Sequence, residues 1–131
     1  MTQEIKPTYV TREQANRLKE KEFDLPTYAY YSGLNFYTGE YKNHSQTTIG
    51  DTPMHKMLIG YTSAPEQWQV VEWLRVNHGI WVYVVGGGNN RYYPMYQDKN
   101  QYKLALDLDK CYDTPQKAYS AAFDYILNDL I

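Results

Sequence analysis

Tyrosine is the residue type that dominates the possible chemistry of this chain, with 15 tyrosines against 3 phenylalanines in 131 residues. A tyrosine buries a large ring but still needs a partner for its hydroxyl group, so it suits half-exposed surfaces and binding sites better than a dry core. The pattern therefore predicts recognition by aromatic surfaces more than bond-making chemistry. The tyrosines concentrate in two groups along the sequence, which are Tyr28, Tyr30, Tyr31, Tyr37 and Tyr41, and then Tyr83, Tyr92, Tyr93, Tyr96 and Tyr102.

A glycine-rich segment interrupts the second group at residues 86–91, which read Gly-Gly-Gly-Asn-Asn-Arg. The glycines would let the backbone approach a ligand closely, and Arg91 could pair with a phosphate. The segment lacks the Gly-Lys-Ser/Thr ending of a Walker A loop and does not open a helix. Glycine and asparagine are also the usual residues of hairpin turns with positive φ, so we favour a plain turn and keep a phosphate site as the alternative.

Other reactive side chains show no catalytic or metal-binding pattern. Asp107 and Asp109 alternate along a predicted strand and could act as paired carboxylates, but a solvated sheet face explains them equally well. No His-x-x-x-His or Cys-x-x-Cys pair occurs among the histidines and the cysteine, which are His44, His55, His78 and Cys111. We therefore expect a protein that is not an enzyme and holds neither a metal nor a cofactor.

The formal net charge of −2 argues against a long nucleic acid as ligand, because binding a phosphate backbone normally requires a basic surface. A small anionic ligand needs only one or two local cations and stays possible. Cys111 is the single cysteine, so no internal disulfide forms and a reducing compartment is expected. No secretory pattern opens the sequence, and the apolar run at residues 80–85 is too short to span a bilayer. We expect a cytoplasmic protein that does not bind membranes.

Capping signals predict about three helices to position these residues. Thr11 is the expected N-cap of the first, with Gln14 completing a capping box, and this helix should run to about residue 22. Ser63 is the expected N-cap of the second, which should end at Gly79. The third is expected to start within residues 113–116 and to end near residue 129.

The apolar spacing of the helices predicts which side chains face the core. On the second helix, Trp68 and Leu74 fall on one broad face, while Trp73 and Val76 fall outside it. A large apolar residue off the core face is typical of an interface, so Trp73 is a candidate contact residue. The third helix is expected to direct inward Ala118, Tyr119, Ala122, Phe123, Ile126 and Leu130.

The remaining elements are predicted to be strands. Alternation within Tyr30-Tyr31 and Tyr92-Tyr93 sends one member of each pair away from the helices. The order α-β-β-(β)-α-β-β-β-α predicts a single α+β domain over residues 1–131 with an antiparallel sheet. The expected strands are residues 28–31 and 36–41 around Gly33, a possible one at 57–61, an interior one at 80–85, one at 91–97 that Pro94 makes an edge or bulged strand, and an alternating one at 102–109; residues 42–53 should form a surface loop.

Three sequence patterns carry a resemblance to a known family. The most specific is Ala-Pro-Glu-Gln at residues 64–67, followed by Trp-Leu-Arg at 73–75 and His-Gly at 78–79. Together with residues 15–26 and 112–118, it resembles a large family of short, functionally uncharacterised proteins of phages and prophages of gut bacteria. The resemblance covers nearly the whole chain and supplies no catalytic residue. It implies a phage protein located in the cytoplasm of the infected or lysogenic host cell.

The resemblance sharpens two hypotheses about function. Small phage proteins often inhibit host defence, and one class sequesters nucleotide second messengers; here aromatic rings would stack on the bases and an arginine would hold the phosphates. The alternative is a protein-interaction module that uses the same aromatic surface, and either is compatible with a homo-oligomer. The candidate ligand-binding residues are Arg91, Tyr92, Tyr93, Trp81, Tyr83 and Trp73, followed by Tyr30 and Tyr31.

Overall fold

The computed structural model describes residues 4–38, 48–49, 52–53, 61–98 and 110–131. Within these residues, three α-helices and antiparallel strands alternate in roughly the predicted order, which confirms the α+β class. The strand predicted at 102–109, and most of the one at 57–61, lie outside the described residues. The elements are α1 (Arg12–Glu20), β1 (Ala29–Ser32), β2 (Asn35–Thr38), β3 (Thr48–Ile49), β4 (Thr52–Pro53), β5 (Tyr61–Ala64), α2 (Gln67–His78), β6 (Ile80–Gly86), β7 (Tyr92–Asp98) and α3 (Pro115–Tyr125), followed by a π-helical turn (Ile126–Leu130).

The strands of the described residues form two sheets and one minimal ladder. Strand β1 lies between β2 and β5, and both neighbours run antiparallel to it. The predicted hairpin around Gly33 is confirmed, with a positive φ of 60° at this glycine. Strands β6 and β7 form a second antiparallel hairpin. Strands β3 and β4 pair over two residues each, so the segment predicted to be a surface loop contains a short hairpin.

Helix α1 begins at the predicted capping box. Thr11 Oγ1 accepts a hydrogen bond from Gln14 N at 3.2 Å, and Gln14 Oε1 accepts one from Thr11 N at 3.0 Å. The helix ends at Glu20, slightly before the predicted end, because Glu22 adopts a left-handed φ of 65°. The turn that follows directs Phe23 into the core, where its ring is fully buried.

Helix α2 begins later than predicted. Ser63 is not its N-cap, because it is a buried residue of β5 that pairs with Tyr30 of β1. The N-cap is Glu66, whose backbone N–H donates to Gln69 Oε1 at 3.0 Å. The serine signal was overridden by strand pairing, which depends on distant residues. The helix ends as predicted at Gly79, which has a φ of 66°.

The later start of α2 changes which tryptophan faces the core. Trp73 is buried with 4% of its surface exposed, and its ring packs against Phe23 with centroids 5.5 Å apart. Trp68 is 62% exposed. The predicted positions of both are wrong, because the core face of the observed helix follows the i, i+3, i+4 spacing of Val70, Trp73 and Leu74.

The main core lies between the helices and the inner face of the β6–β7 hairpin. Helix α3 contributes as predicted up to Ile126, but the π-helical turn then makes Leu127 the buried residue, with 2% exposure, and leaves Leu130 at 36%. The buried cluster contains Val10, Ala15, Leu18, Phe23, Val70, Trp73, Leu74, Ile80, Val82, Tyr96, Ala122, Phe123, Ile126 and Leu127.

Pro94 leaves the β6–β7 ladder intact, so the predicted bulge is wrong. Its partner across the strands is Val84, and the register is continuous on both sides. Tyr92 exchanges two backbone hydrogen bonds of 2.9 Å with Tyr112, on the side of β7 away from β6. Because backbone direction alternates along a strand, the missing N–H of Pro94 also faces that side and removes nothing from the ladder.

Candidate interaction surface

The β6–β7 hairpin has one face turned away from the helices, which we call the outer hairpin face. Cross-strand pairing brings its side chains together in three directly opposed pairs. Helices α2 and α3 cover the opposite face of the hairpin, where Ile80 and Val82 are buried. The six residues of the outer hairpin face are Trp81 opposite Gln97, Tyr83 opposite Met95, and Val85 opposite Tyr93.

Aromatic and apolar groups dominate the outer hairpin face. Trp81 is 50% exposed and Val85 is 42% exposed, while the other members are half-buried. The rings of Trp81 and Tyr83 lie side by side with centroids 4.9 Å apart and an interplanar angle of 33°. The predicted interior position of β6 is not met in the described residues, where only β7 pairs with it. Its second apolar face is instead an exposed surface.

Tyr93 is positioned by the backbone of Gly87. A Cβ atom at Gly87 would lie 2.7 Å from Cε2 of Tyr93, which is closer than real Cβ contacts. The tyrosine ring therefore lies directly over a backbone that only glycine leaves uncovered. This contact extends the aromatic surface from the strands to the start of the turn.

The glycine-rich segment is the turn of this hairpin, which confirms the favoured interpretation. Gly87 N donates to Arg91 O at 2.8 Å, and Arg91 N donates to Gly88 O at 3.0 Å. Gly88, Asn89 and Asn90 have φ values of 76°, 51° and 56°, a conformation that glycine and asparagine adopt most readily. The turn carries the exposed Arg91 at one end of the outer hairpin face.

Two arginines flank the outer hairpin face with different electrostatic surroundings. Arg75 lines a shallow concavity of about 260 Å³ beside Trp81, and its Nη2 lies 2.8 Å from Oε2 of Glu72. Hydrogen bonds from Arg75 hold the pKa of Glu72 below its usual value and raise the pKa of Arg75 itself. No carboxylate in the described part of the chain forms a salt bridge with Arg91. Arg91 is therefore the more available cation.

Half of the predicted site residues lie elsewhere. Trp73 and Tyr30 are buried, each with 4% exposure, and have no free ring face to offer a ligand. Tyr31 donates its hydroxyl to Val10 O at 2.7 Å, and burial raises the pKa of that hydroxyl. Tyr92 pairs with Gly86 on the inner side of the hairpin. The structure brings together the other four, which are Trp81, Tyr83, Tyr93 and Arg91.

The tyrosines of the first sequence group pack mainly on aromatic neighbours. Tyr30 stacks on Tyr37 with centroids 5.3 Å apart and contacts Tyr61 at 5.2 Å. Tyr31 lies on the opposite face of β1, as predicted, with its ring 5.1 Å from Phe36. These contacts account for the tyrosines as structural residues of the first sheet.

Three members of the outer hairpin face were absent from the predicted site, namely Val85, Met95 and Gln97. Their positions follow from the sequence once the turn is centred on Gly88 and Asn89, because residues equidistant from a hairpin turn oppose each other. The signal was present but required a decision that residues 86–91 form a turn.

No family model matches the chain, and neither a curated protein nor a solved structure matches it. The resemblance to phage and prophage proteins therefore stays a prediction. Across the described residues, no helix combines the length and apolar character needed to cross a membrane. The same residues contain no group of three or more histidine, cysteine, aspartate or glutamate side chains placed to hold a metal ion.

Proposed function

We propose that this protein is a non-catalytic interaction module that binds a partner protein through the outer hairpin face. The observation that carries the proposal is the exposed Trp81 beside Tyr83, held on a continuous two-stranded ladder. Exposed apolar patches are typical of interaction sites, and tryptophan and tyrosine are enriched among the residues that dominate binding energy. Trp81 takes the role of central contact residue that the sequence suggested for Trp73.

The open shape of the face favours a protein over a small molecule. Sites for small ligands bury most of the ligand surface in a concavity. The outer hairpin face spreads its rings along two strands, so a small ligand stacked on Trp81 would be covered on one side only. A partner protein would cover several of these side chains together and would exclude water from Trp81.

Comparative affinity capture tests this proposal, with extracts of the bacterium that carries the gene. Immobilised wild type, Trp81→Ser and Trp68→Ser are compared, because Trp68 is a similarly exposed tryptophan outside the outer hairpin face. We expect a partner retained by wild type and Trp68→Ser but lost from Trp81→Ser. Light scattering of the purified chain shows whether that partner is a second copy. A capture profile that Trp81→Ser leaves unchanged would contradict the proposal.

Sequestration of a nucleotide signal is the second candidate function. The observation that favours it is the exposed Arg91 at the end of the face that carries Tyr93 and Trp81. Stacking on the rings would hold a base, and the guanidinium would hold a phosphate. The resemblance to phage proteins supports a second messenger of host defence as the ligand.

Thermal unfolding in the presence of cyclic and linear nucleotides tests this candidate. A ligand at 100 times its dissociation constant stabilises a fold by about 2.7 kcal/mol, which raises the unfolding midpoint by several degrees. We expect the shift to disappear in Arg91→Ala. A panel without any shift, measured on well-folded protein, would eliminate nucleotide sequestration and leave the protein partner.

A further inference from the structure

A groove on another side of the molecule shares no residue with the outer hairpin face. It has a volume of about 370 Å³ and lies between the N-terminal segment, the first turns of α2 and the start of α3. This volume is near the lower end of the range of about 300–1,000 Å³ for small-molecule sites. Its lining residues are Lys6, Pro7, Thr8, Glu66, Gln67, Trp68, Val71, Glu72, Gln116 and Tyr119.

The side chain and backbone of Gln67 hold the groove together. Its backbone N–H donates to Thr8 O at 2.8 Å, and its Nε2 donates to Gln116 O at 2.9 Å. Val10 N adds a bond of 3.1 Å to Pro65 O. The N-terminal segment and α3 are thereby fixed to the start of α2, so the groove is formed before any ligand arrives.

The acceptor atom of Gln67 is left for a ligand. Gln67 is only 8% exposed, yet its Oε1 receives no hydrogen bond from the described residues. No buried side-chain oxygen or nitrogen of those residues lacks a partner, so this Oε1 must reach solvent. Because Gln67 lines the groove, the groove is where Oε1 meets solvent. An otherwise buried amide thus presents a hydrogen-bond acceptor to whatever occupies it.

The walls of the groove combine apolar surface with one charge of each sign. Trp68, Val71 and Tyr119 provide the apolar surface, and Trp68 has more than half of its surface exposed. Among the charged lining residues, Glu72 is neutralised by its salt bridge to Arg75. Lys6 and Glu66 remain as a cation and an anion at the same groove. This pair is complementary to a zwitterion.

We infer that the groove binds a free aromatic amino acid. Its carboxylate pairs with Lys6, its ammonium group donates to Gln67 Oε1 and pairs with Glu66, and its ring packs between Trp68 and Tyr119. Hydrogen bonds to charged groups are the stronger kind, which makes both ends of the ligand important. The inference stands independently of the proposed partner protein, because the two surfaces are separate.

Calorimetric titration of the full chain with three related compounds tests this site. L-Tryptophan has both charges, tryptamine lacks the carboxylate, and indole-3-propionate lacks the amine. We expect L-tryptophan to bind and each analogue to bind at least about tenfold more weakly, since each loses a charge-assisted hydrogen bond. Trp68→Ala should weaken L-tryptophan binding by about tenfold, and Trp68 is exposed enough for the variant to fold.

Val76→Ala is the matched control, because Val76 is an exposed residue of the same helix outside the groove. It should leave the affinity for L-tryptophan unchanged. Absence of binding by all three compounds would overturn the inference. Equal binding of the three would show an apolar groove without charge recognition and would overturn it too. An equal loss in Val76→Ala and Trp68→Ala would place binding elsewhere, with the same consequence.

Discussion

At the scale of single residues, the three tryptophans show how far the sequence determines a side chain's role. Trp81 was a predicted ligand-binding residue and lies on the exposed outer hairpin face. Trp73 and Trp68 exchanged their expected positions, because a shift in the start of one helix rotates every later residue about the axis. Residue type alone identified tryptophan as important, but only the packing of Phe23 on Trp73 shows which one belongs to the core.

Gly87→Ala tests the contact that positions Tyr93. The new methyl group would lie 2.7 Å from Cε2 of the ring, and the ring must swing away from the turn. Because a side chain can move, we expect a stability loss below about 1 kcal/mol in denaturant unfolding. Titration with the captured partner should show weaker binding. Asn89→Gly is the control, since glycine tolerates its φ of 51°; equal binding by both variants would contradict a role for Tyr93.

Gln14 is a buried amide that joins α1 to α3. Its Nε2 lies 2.9 Å from Ser120 O, Ser120 Oγ and Asp124 Oδ1, and its Oε1 completes the capping box of α1. The sequence predicted the cap but not the contacts across the core. We expect Gln14→Ala to lower the free energy of unfolding by about 1–3 kcal/mol, because buried polar groups lose their partners. Exposed Lys19→Ala should change it by less than about 0.5 kcal/mol, and an equal loss would contradict this role.

At the scale of elements, local signals predicted what local forces determine. The capping box of α1, the Gly79 end of α2 and the hairpin turn at residues 86–91 all depend on neighbouring residues, and all were predicted. Ser63 was misassigned because its pairing with β1 joins segments far apart in sequence. The face of β6 left uncovered also depends on distant helices, so periodicity alone did not distinguish an interior strand from an interaction surface.

The contact between β7 and α3 predicts a dependence of stability on alkaline pH. Burial, followed by the hydrogen bond with Tyr125, raises the pKa of Tyr96 to about 12. A raised pKa in the folded state means that the protonated tyrosine stabilises the fold below the unfolded value of about 10, and that this contribution is lost as pH rises from there to about 12. The loss should stay below about 2.7 kcal/mol, which corresponds to two pKa units.

Tyr96→Phe is the variant that isolates this effect, because it removes the hydroxyl and keeps the ring. We expect its unfolding free energy to fall less steeply with pH than that of wild type above about pH 10. Tyr112→Phe on the neighbouring segment should keep the wild-type slope. Identical slopes for Tyr96→Phe and wild type would show that Tyr96 does not control this transition.

At the scale of the whole molecule, two surfaces separate the binding functions that we propose. The outer hairpin face was foreseen in part, since Trp81, Tyr83, Tyr93 and Arg91 were candidates from their sequence group. The groove was not foreseen, because it forms only when the N-terminal segment and α3 meet the start of α2 through Gln67. Surfaces made by one hairpin follow from its sequence, whereas surfaces made by three distant segments require the fold.

Hydroxyl-radical footprinting tests the central claim, that Trp81 lies in an interface with a partner protein. The oxidation rates of Trp81 and Trp68 are measured by mass spectrometry for the purified chain and for the chain in bacterial extract dialysed to remove small molecules. Both tryptophans are at least half exposed, so Trp68 is an internal reference. We predict that the Trp81-to-Trp68 rate ratio falls in extract. An unchanged ratio, or one that rises because Trp68 alone is protected, would contradict the account.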